Sequence, residues 1–297
     1  ETFGMAMLRP GDTIGIISPS HVAEREHYAP IFQSIESMGL CAKAGANLYK
    51  STYGYLASEL ERAEDFNQMA ADPDVRMILF GGGEGANELL PYIDFDCIRR
   101  NPKPILSYSD GTFLLDAIYA KTGMITYYGQ GAGMLVDMQP YDRQQFRTHF
   151  MQDGVTDFVP NSEWHALHEG VGQGVLIGGY LDNLALMLGG EYFQVDEGRK
   201  YILFLEDHEQ FNSIAHVSGR LSHIEQSALA SRISGLLFGH YSETVFPDLR
   251  ARLARFGEKH QVPVACCDDF GHGMNHAILP IGREAVLDTK RCTLRFA

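Results

Sequence analysis

The sequence predicts an α/β protein: an N-terminal Rossmann-like domain built on a parallel sheet, followed by a smaller β-rich α/β domain. Three observations predict it. Short β-rich runs alternate with helical patterns through the first half, the arrangement of βαβ units. Several of these runs, RMILF among them, are near-continuously apolar, as strands covered on both faces are. Beyond a punctuated middle stretch, β-rich runs dominate. At roughly 100–200 residues per domain, 297 residues suit two domains or one large one. The expected boundaries are 1–138 for the first domain, 139–172 for a connector and 173–297 for the second.

The elements follow in order. DTIGIISPS (12–20) reads as a strand entering a loop. VAEREHYAPIFQSIESMGL places Ile31, Ile35 and Met38 at helical spacing and stops at Gly39. After a short segment at 41–48, ASELERAEDFNQMAAD is a second helix. Its inner face is traced by Leu60, Ala63, Phe66, Asn67 and Ala70, and Asp72-Pro73 ends it. VRMILFGGG is a strand, EGANELLPYI a turn into a helix, PILSYSD a strand, GTFLLDAIYAKTG a helix and MITYYG a strand-like run. The connector carries one helix over 142–151. Strands are then expected at GVLIGG, YILFLED, ISGLLFGH and VPVACCDDF, with helices over 210–227 and 245–260. The last segment, 277–297, reads as an antiparallel hairpin turned at Asp288-Thr289-Lys290.

Composition narrows the function. Lys+Arg 24 against Asp+Glu 38 gives a net charge of -14, which repels nucleic acid polymers and anionic membranes. Five cysteines form an odd, sparse set, which argues against a disulfide framework and for a reducing compartment. Cys266 and Cys267 read as buried strand residues. No apolar run approaches the ~20 residues of a membrane span, and no signal-peptide pattern is visible, so a cytoplasmic protein is expected. The first residue is Glu1, which leaves the native start open.

The segment ILSYSDGT carries the most chemistry. A strand runs into Ser107-x-Ser109-x-Gly111 and then a helix, close to the G-x-S-x-G nucleophile elbow. The N–H of Asp110, at the helix start, is placed to donate to an oxyanion; the alternative is that Ser109 or Asp110 merely caps the helix. The glycines at 81, 82, 83 and 85 let backbone N–H groups approach a ligand, or form a tight turn only. They make neither a P-loop nor a complete dinucleotide fingerprint. For a base, His272 lies between Gly271 and Gly273, with His276 as competitor. For an acid, Glu206 ends the apolar run YILFLED, where a histidine partner and a helix cap are both open roles.

Taken together, PGDTIGIISPS, ERAEDFNQMAADPDVRMIL, GANELLPYIDFDCIRRNPKPILSYSD, AKTGMITYYG, VLIGGYLDNL, ILFLED and GHGMNHAILPIG resemble the serine LD-carboxypeptidase family. Within it, they are most similar to the branch of microcin C immunity peptidases. The resemblance covers nearly the whole chain. It implies Ser109 as nucleophile, Glu206 as acid and His272 as base, with the backbone N–H groups of Gly83 and Asp110 as oxyanion hole. It also implies a homodimer, and the reaction asks for no metal or organic cofactor. Two small-molecule substrates fit the resemblance. One is a peptidyl or aminoacyl nucleotide, hydrolysed at its amide-like bond in antibiotic immunity; the other is a murein tetrapeptide that loses its terminal D-alanine.

Three departures stand out. Ser107 replaces the usual glycine two places before the nucleophile. Glu84 stands where carboxypeptidase members often carry an aromatic, and Phe80-Gly81 where an arginine often precedes the glycines. Trp164, the only tryptophan, lies in the connector, where microcin-type members carry an aromatic able to stack on a nucleobase. The other reading of Trp164 is a packed anchor. A non-catalytic binding protein on the same fold would show substituted triad positions, and all three are intact.

Overall fold

Strand β1 (Thr13–Ile16) opens the first unit, and its three buried residues Ile14, Gly15 and Ile16 show why the run is apolar without alternation. The computed structural model describes residues 7–239 and 247–297. The chain divides into two units, one ending at Asp153 and the other spanning Gly154–Ala297. Among the described residues, no helix is long and apolar enough to cross a membrane.

In the first unit, β1 is followed by α1 (Arg25–Ser37), β2 (Cys41–Ala44), α2 (Glu59–Ala71), β3 (Val75–Leu79), α3 (Phe95–Arg100), β4 (Ile105–Ser107), α4 (Thr112–Thr122), β5 (Thr126–Tyr128) and α5 (Pro140–Phe150). These five strands pair in parallel in the order β5-β4-β3-β1-β2. The order reverses between β1 and β3, so the loops leaving their carboxyl ends flank a switch point, where open α/β sheets bind ligands. Those loops are Ser18–His21 and the glycine turn.

Helix α2 starts where the sequence signals it: Ser58 accepts from the Glu61 N–H and the Glu61 carboxylate accepts from the Ser58 N–H, a complete capping box. Its inner face differs from the expected one. Leu60 is 59% exposed, while Arg62, Ala63, Asp65, Phe66, Met69 and Ala70 are buried. The cause is Arg62, whose guanidinium satisfies backbone carbonyls and so turns a charged residue inward. The segment EGANELLPYI forms tight 3₁₀ turns over Ala86–Tyr92 rather than an α-helix, with Gly85 left-handed before it and Pro91 inside it. Helix α3 was not foreseen; six residues are too few for a periodic signal.

The second unit contains β6 (His165–His168), β7 (Val171–Tyr180), α6 (Leu181–Met187), β8 (Tyr201–Glu206), α7 (Ile214–Glu225), β9 (Ile233–Gly239), α8 (Pro247–His260), β10 (Val264–Cys267), β11 (Leu279–Ile281), β12 (Glu284–Asp288) and β13 (Thr293–Phe296). Seven strands form a mixed sheet in the order β13-β12-β7-β8-β9-β10-β6. Its centre, β7 to β10, is parallel; β6, β12 and β13 pair antiparallel at the edges. The terminal hairpin is the β12–β13 pair, closing at Asp288↔Thr293.

Two elements here also went unforeseen, the short α6 and the edge strand β6 inside the connector. The expected start of α8 at Val245 and the expected end of β9 at His240 lie outside the described residues. Cys266 and Cys267 are buried on β10, and burial raises both thiols above their ordinary range.

Candidate active site

The serine elbow is built within the first unit. Strand β4 ends at Ser107, Tyr108 is extended, and Ser109 then adopts φ 55 before α4 begins. A non-glycine residue in the left-handed region is held there by its surroundings at a cost of roughly 1–3 kcal/mol. Three contacts hold it. The Ser109 N–H donates to the Tyr128 hydroxyl at 2.9 Å, the Thr112 hydroxyl donates to the Ser109 carbonyl at 2.6 Å, and the Gly111 N–H donates to the Tyr108 carbonyl at 3.0 Å.

The departure at Ser107 is accommodated from across the turn. A Cβ on Gly111 would lie 2.2 Å from the Ser107 hydroxyl oxygen, so the glycine at 111 makes the room that Ser107 fills.

The glycine turn packs directly against this elbow. A Cβ on Gly82 would lie 2.9 Å from the Cβ of Ser109. Gly83 has φ +138, and a Cβ there would meet the Ser20 carbonyl oxygen at 2.3 Å. Only glycine fits both the conformation and the space at 83.

Two buried charged side chains hold these loops. The Asp110 carboxylate accepts from the Ser20 hydroxyl at 2.6 Å and the Ala86 N–H at 2.8 Å. It therefore caps the 3₁₀ turns after the glycines. From the other side, Arg62 donates to the carbonyls of Pro19 at 2.7 Å and Gly85 at 2.9 Å. Neither role follows a local spacing: 24 residues separate Asp110 from Ala86, and 43 separate Arg62 from Pro19. Beside the turn lies His21, its pKa lowered by burial and by the neighbouring His27.

The acid and the histidine meet within the second unit. Glu206 is the last residue of β8, fully buried, in register with Tyr180 on β7 and Gly239 on β9. Its Oε2 lies 2.9 Å from His272 Nδ1. Gly271, at φ +100, lets the chain pass this close: a Cβ there would sit 2.7 Å from the same Oε2. Of the two histidines weighed from sequence, His272 is the one on Glu206. The carboxylate on Nδ1 fixes the orientation of the imidazole.

Aromatic rings surround that imidazole. Tyr180 and Phe211 each present a T-shaped contact to His272 with centroids at 5.3 Å. The Tyr180 hydroxyl donates to Asp207 at 2.8 Å, and Asn212 donates to both. Burial and the adjacent Asp207 push the Tyr180 hydroxyl well above its ordinary range, and burial raises Asp207. Tyr180 could have been found as the residue ending GVLIGGY level with Glu206.

Trp164 is packed as the anchor alternative describes. Its ring is 9% exposed, packs edge-on against Phe158 at 5.6 Å, and its Nε1–H donates to Asp269 at 2.7 Å. That carboxylate also accepts from the Asn161 N–H, so Trp164 and Asn161 share one buried anchor.

A serine held in strain at the carboxyl end of a parallel strand, and a separate carboxylate–histidine pair, are the parts of a serine hydrolase. Comparison with known proteins agrees. The LD-carboxypeptidase N-terminal domain matches residues 14–129 and the LD-carboxypeptidase C-terminal domain matches residues 173–287. The chain belongs to the LD-carboxypeptidase family and is a hydrolase of the serine peptidase type. It is 30% identical to a Bacillus subtilis protein named "Probable murein peptide carboxypeptidase", over 96% of this chain and 92% of that one. To the microcin C7 self-immunity protein MccF of Escherichia coli it is 28% identical, over 95% of this chain and 92% of that one. Among solved structures, MccF in complex with glutamyl sulfamoyl guanosine superposes with a TM-score of 0.86 at 26% identity, covering 99% of this chain and 98% of that one.

Proposed function

We propose that this chain is a serine amidase that hydrolyses the amide-like bond of peptidyl or aminoacyl nucleotides, giving immunity to microcin C-type antibiotics. The observation that carries the reading is the strained Ser109 at the strand–helix elbow. Ser109 Oγ attacks the carbonyl carbon while His272 Nε2 takes its proton, and Glu206 steadies the imidazolium. The N–H groups of Gly83 and Asp110 receive the developing oxyanion. His272 then returns the proton to the leaving nitrogen, which departs as the NH2 group of a phosphoramidate or sulfamate. Water, deprotonated by the same imidazole, releases the acyl group from Ser109. No step draws on a metal or organic cofactor.

In this reading residues 1–138 supply the nucleophile, 139–172 connect, and 173–297 supply the acid and base. Similarity to MccF bound to a glutamyl sulfamoyl nucleotide supports the nucleotide substrate. The reading extends to a cytoplasmic protein, on its sparse cysteines, and to a homodimer, on family resemblance. A nucleobase contact by Trp164 would use the edge of a ring that is otherwise packed.

A second reading, removal of the terminal D-alanine from a murein tetrapeptide, draws on the 30% identity to the Bacillus subtilis protein. Incubating the protein separately with an aminoacyl sulfamoyl adenosine and with murein tetrapeptide, and weighing the products, separates the two. Release of the free amino acid from the nucleotide, with the tetrapeptide intact, is expected. Loss of alanine from the tetrapeptide alone would overturn the first reading.

A further inference from the structure

Phe211 is 58% exposed, yet its ring stands at 90° to the imidazole of His272 with centroids 5.3 Å apart. A scattered surface hydrophobe needs no explanation. An exposed ring set edge-on to the histidine of the carboxylate pair is different, because whatever His272 acts upon must come within reach of it. The turn that presents Phe211 is held locally: its N–H donates to the His208 carbonyl at 2.8 Å, and its ring lies 4.9 Å from that of His208. Tyr180 supplies a second ring on His272, and Asp207 and Asn212 keep it in place.

The charges around these rings are mainly negative. Glu206, Asp207 and Glu209 lie on the same stretch of chain, and Asp182 follows Tyr180 by two residues. The nearby guanidinium of Arg220 and the imidazole of His216 are both taken up by Asp182, at 2.9 and 2.6 Å. An acidic substituent beside His272 would therefore meet carboxylates and aromatic edges.

We propose that Phe211, backed by Tyr180, is a specificity-determining contact for the acyl group, and that this chain selects aromatic or large apolar acyl groups over acidic ones. The proposal rests on the amidase reading above. Of the two substituents on the scissile bond, only the acyl group stays beside His272 through both acylation and deacylation. An aromatic acyl side chain would gain edge-to-face contact with Phe211 and Tyr180; a carboxylate would lose hydration beside like charge.

The test compares phenylalanyl and glutamyl sulfamoyl adenosine as substrates of the whole protein and of Phe211→Ala. Binding of both compounds to Ser109→Ala is measured by calorimetry. Expected is a kcat/KM at least about tenfold higher for the phenylalanyl compound, with Phe211→Ala reducing that ratio about tenfold, chiefly through KM.

Equal or better cleavage of the glutamyl compound overturns the proposal, as does a Phe211→Ala variant that lowers both substrates equally. Tighter binding of the phenylalanyl compound without turnover by the unsubstituted protein supports the contact and overturns the amidase reading. Binding of neither compound overturns both.

Discussion

The Asp110 carboxylate accepts a 2.8 Å hydrogen bond from the backbone N–H of Ala86, tying the serine elbow to the far end of the glycine turn. The same oxygen accepts from the Ser20 hydroxyl, so one buried side chain joins the loops leaving β1, β3 and β4. Asp110→Ala is expected to lower unfolding free energy by about 3 kcal/mol, because it strands two donors away from water. Asp110→Asn, which keeps an oxygen in place, is expected to cost less than half of that. Urea denaturation of both variants checks the order, and an alanine variant as stable as the parent would show that the clamp is idle.

Gly83 and Gly133 give opposite expectations for the same substitution. Gly83→Ala forces a Cβ to 2.3 Å from the Ser20 carbonyl oxygen at φ +138. It is expected to lose activity about 10²-fold or more, the cost of a displaced oxyanion donor, with a lowered melting temperature. A Cβ on Gly133 meets nothing within 4 Å, so Gly133→Ala is expected to leave stability within about 0.5 kcal/mol. Steady-state kinetics and thermal melts on the pair decide this; a fully active Gly83→Ala would remove Gly83 from the oxyanion hole.

Asp268 gives a pH dependence. Burial, then the neighbouring Asp269 and Glu209, raise its carboxyl from the ordinary value to about 6, against a lowering by Arg250. A folded-state value above the unfolded one means that the native state binds the proton first as pH falls. The penalty is therefore complete above about pH 6 and fades as pH drops toward about 4. Asp268→Asn is expected to melt higher than the parent at pH 7.5, with the gap closing at pH 4.5. A gap that widens on acidification would contradict this.

Helix α2 shows how far the sequence carries and where it stops. Its start was legible because Ser58 and Glu61 satisfy each other within one turn. Its inner face was not, because apolar spacing assigned Leu60 to the core while Arg62 took that side by bonding to Pro19 and Gly85. Leu60→Gln is accordingly expected to change stability by less than about 0.5 kcal/mol, against about 3–5 for Phe66→Ala. Chemical denaturation of the two variants tests the assignment.

The candidate site divides along the same line. Ser109 was legible as a strand–turn–helix motif, and Glu206 and His272 as residues at strand ends and beside glycines, with the family resemblance implying the roles proposed for them. Arg62, the Asp110 carboxylate, Tyr128 and Phe211 were not, since each acts through a partner that is distant in sequence or through an aromatic contact with no motif. Trp164 was noticed for its rarity, but its environment was set by Asp269, 105 residues away.

The central claim is that Ser109 is the nucleophile, and single-turnover hydrolysis of an aminoacyl sulfamoyl adenosine by Ser109→Ala tests it most directly. The expected result is a rate at least about 10⁴-fold below the parent, with binding and melting temperature retained. Turnover by Ser109→Ala within about tenfold of the parent would contradict the claim.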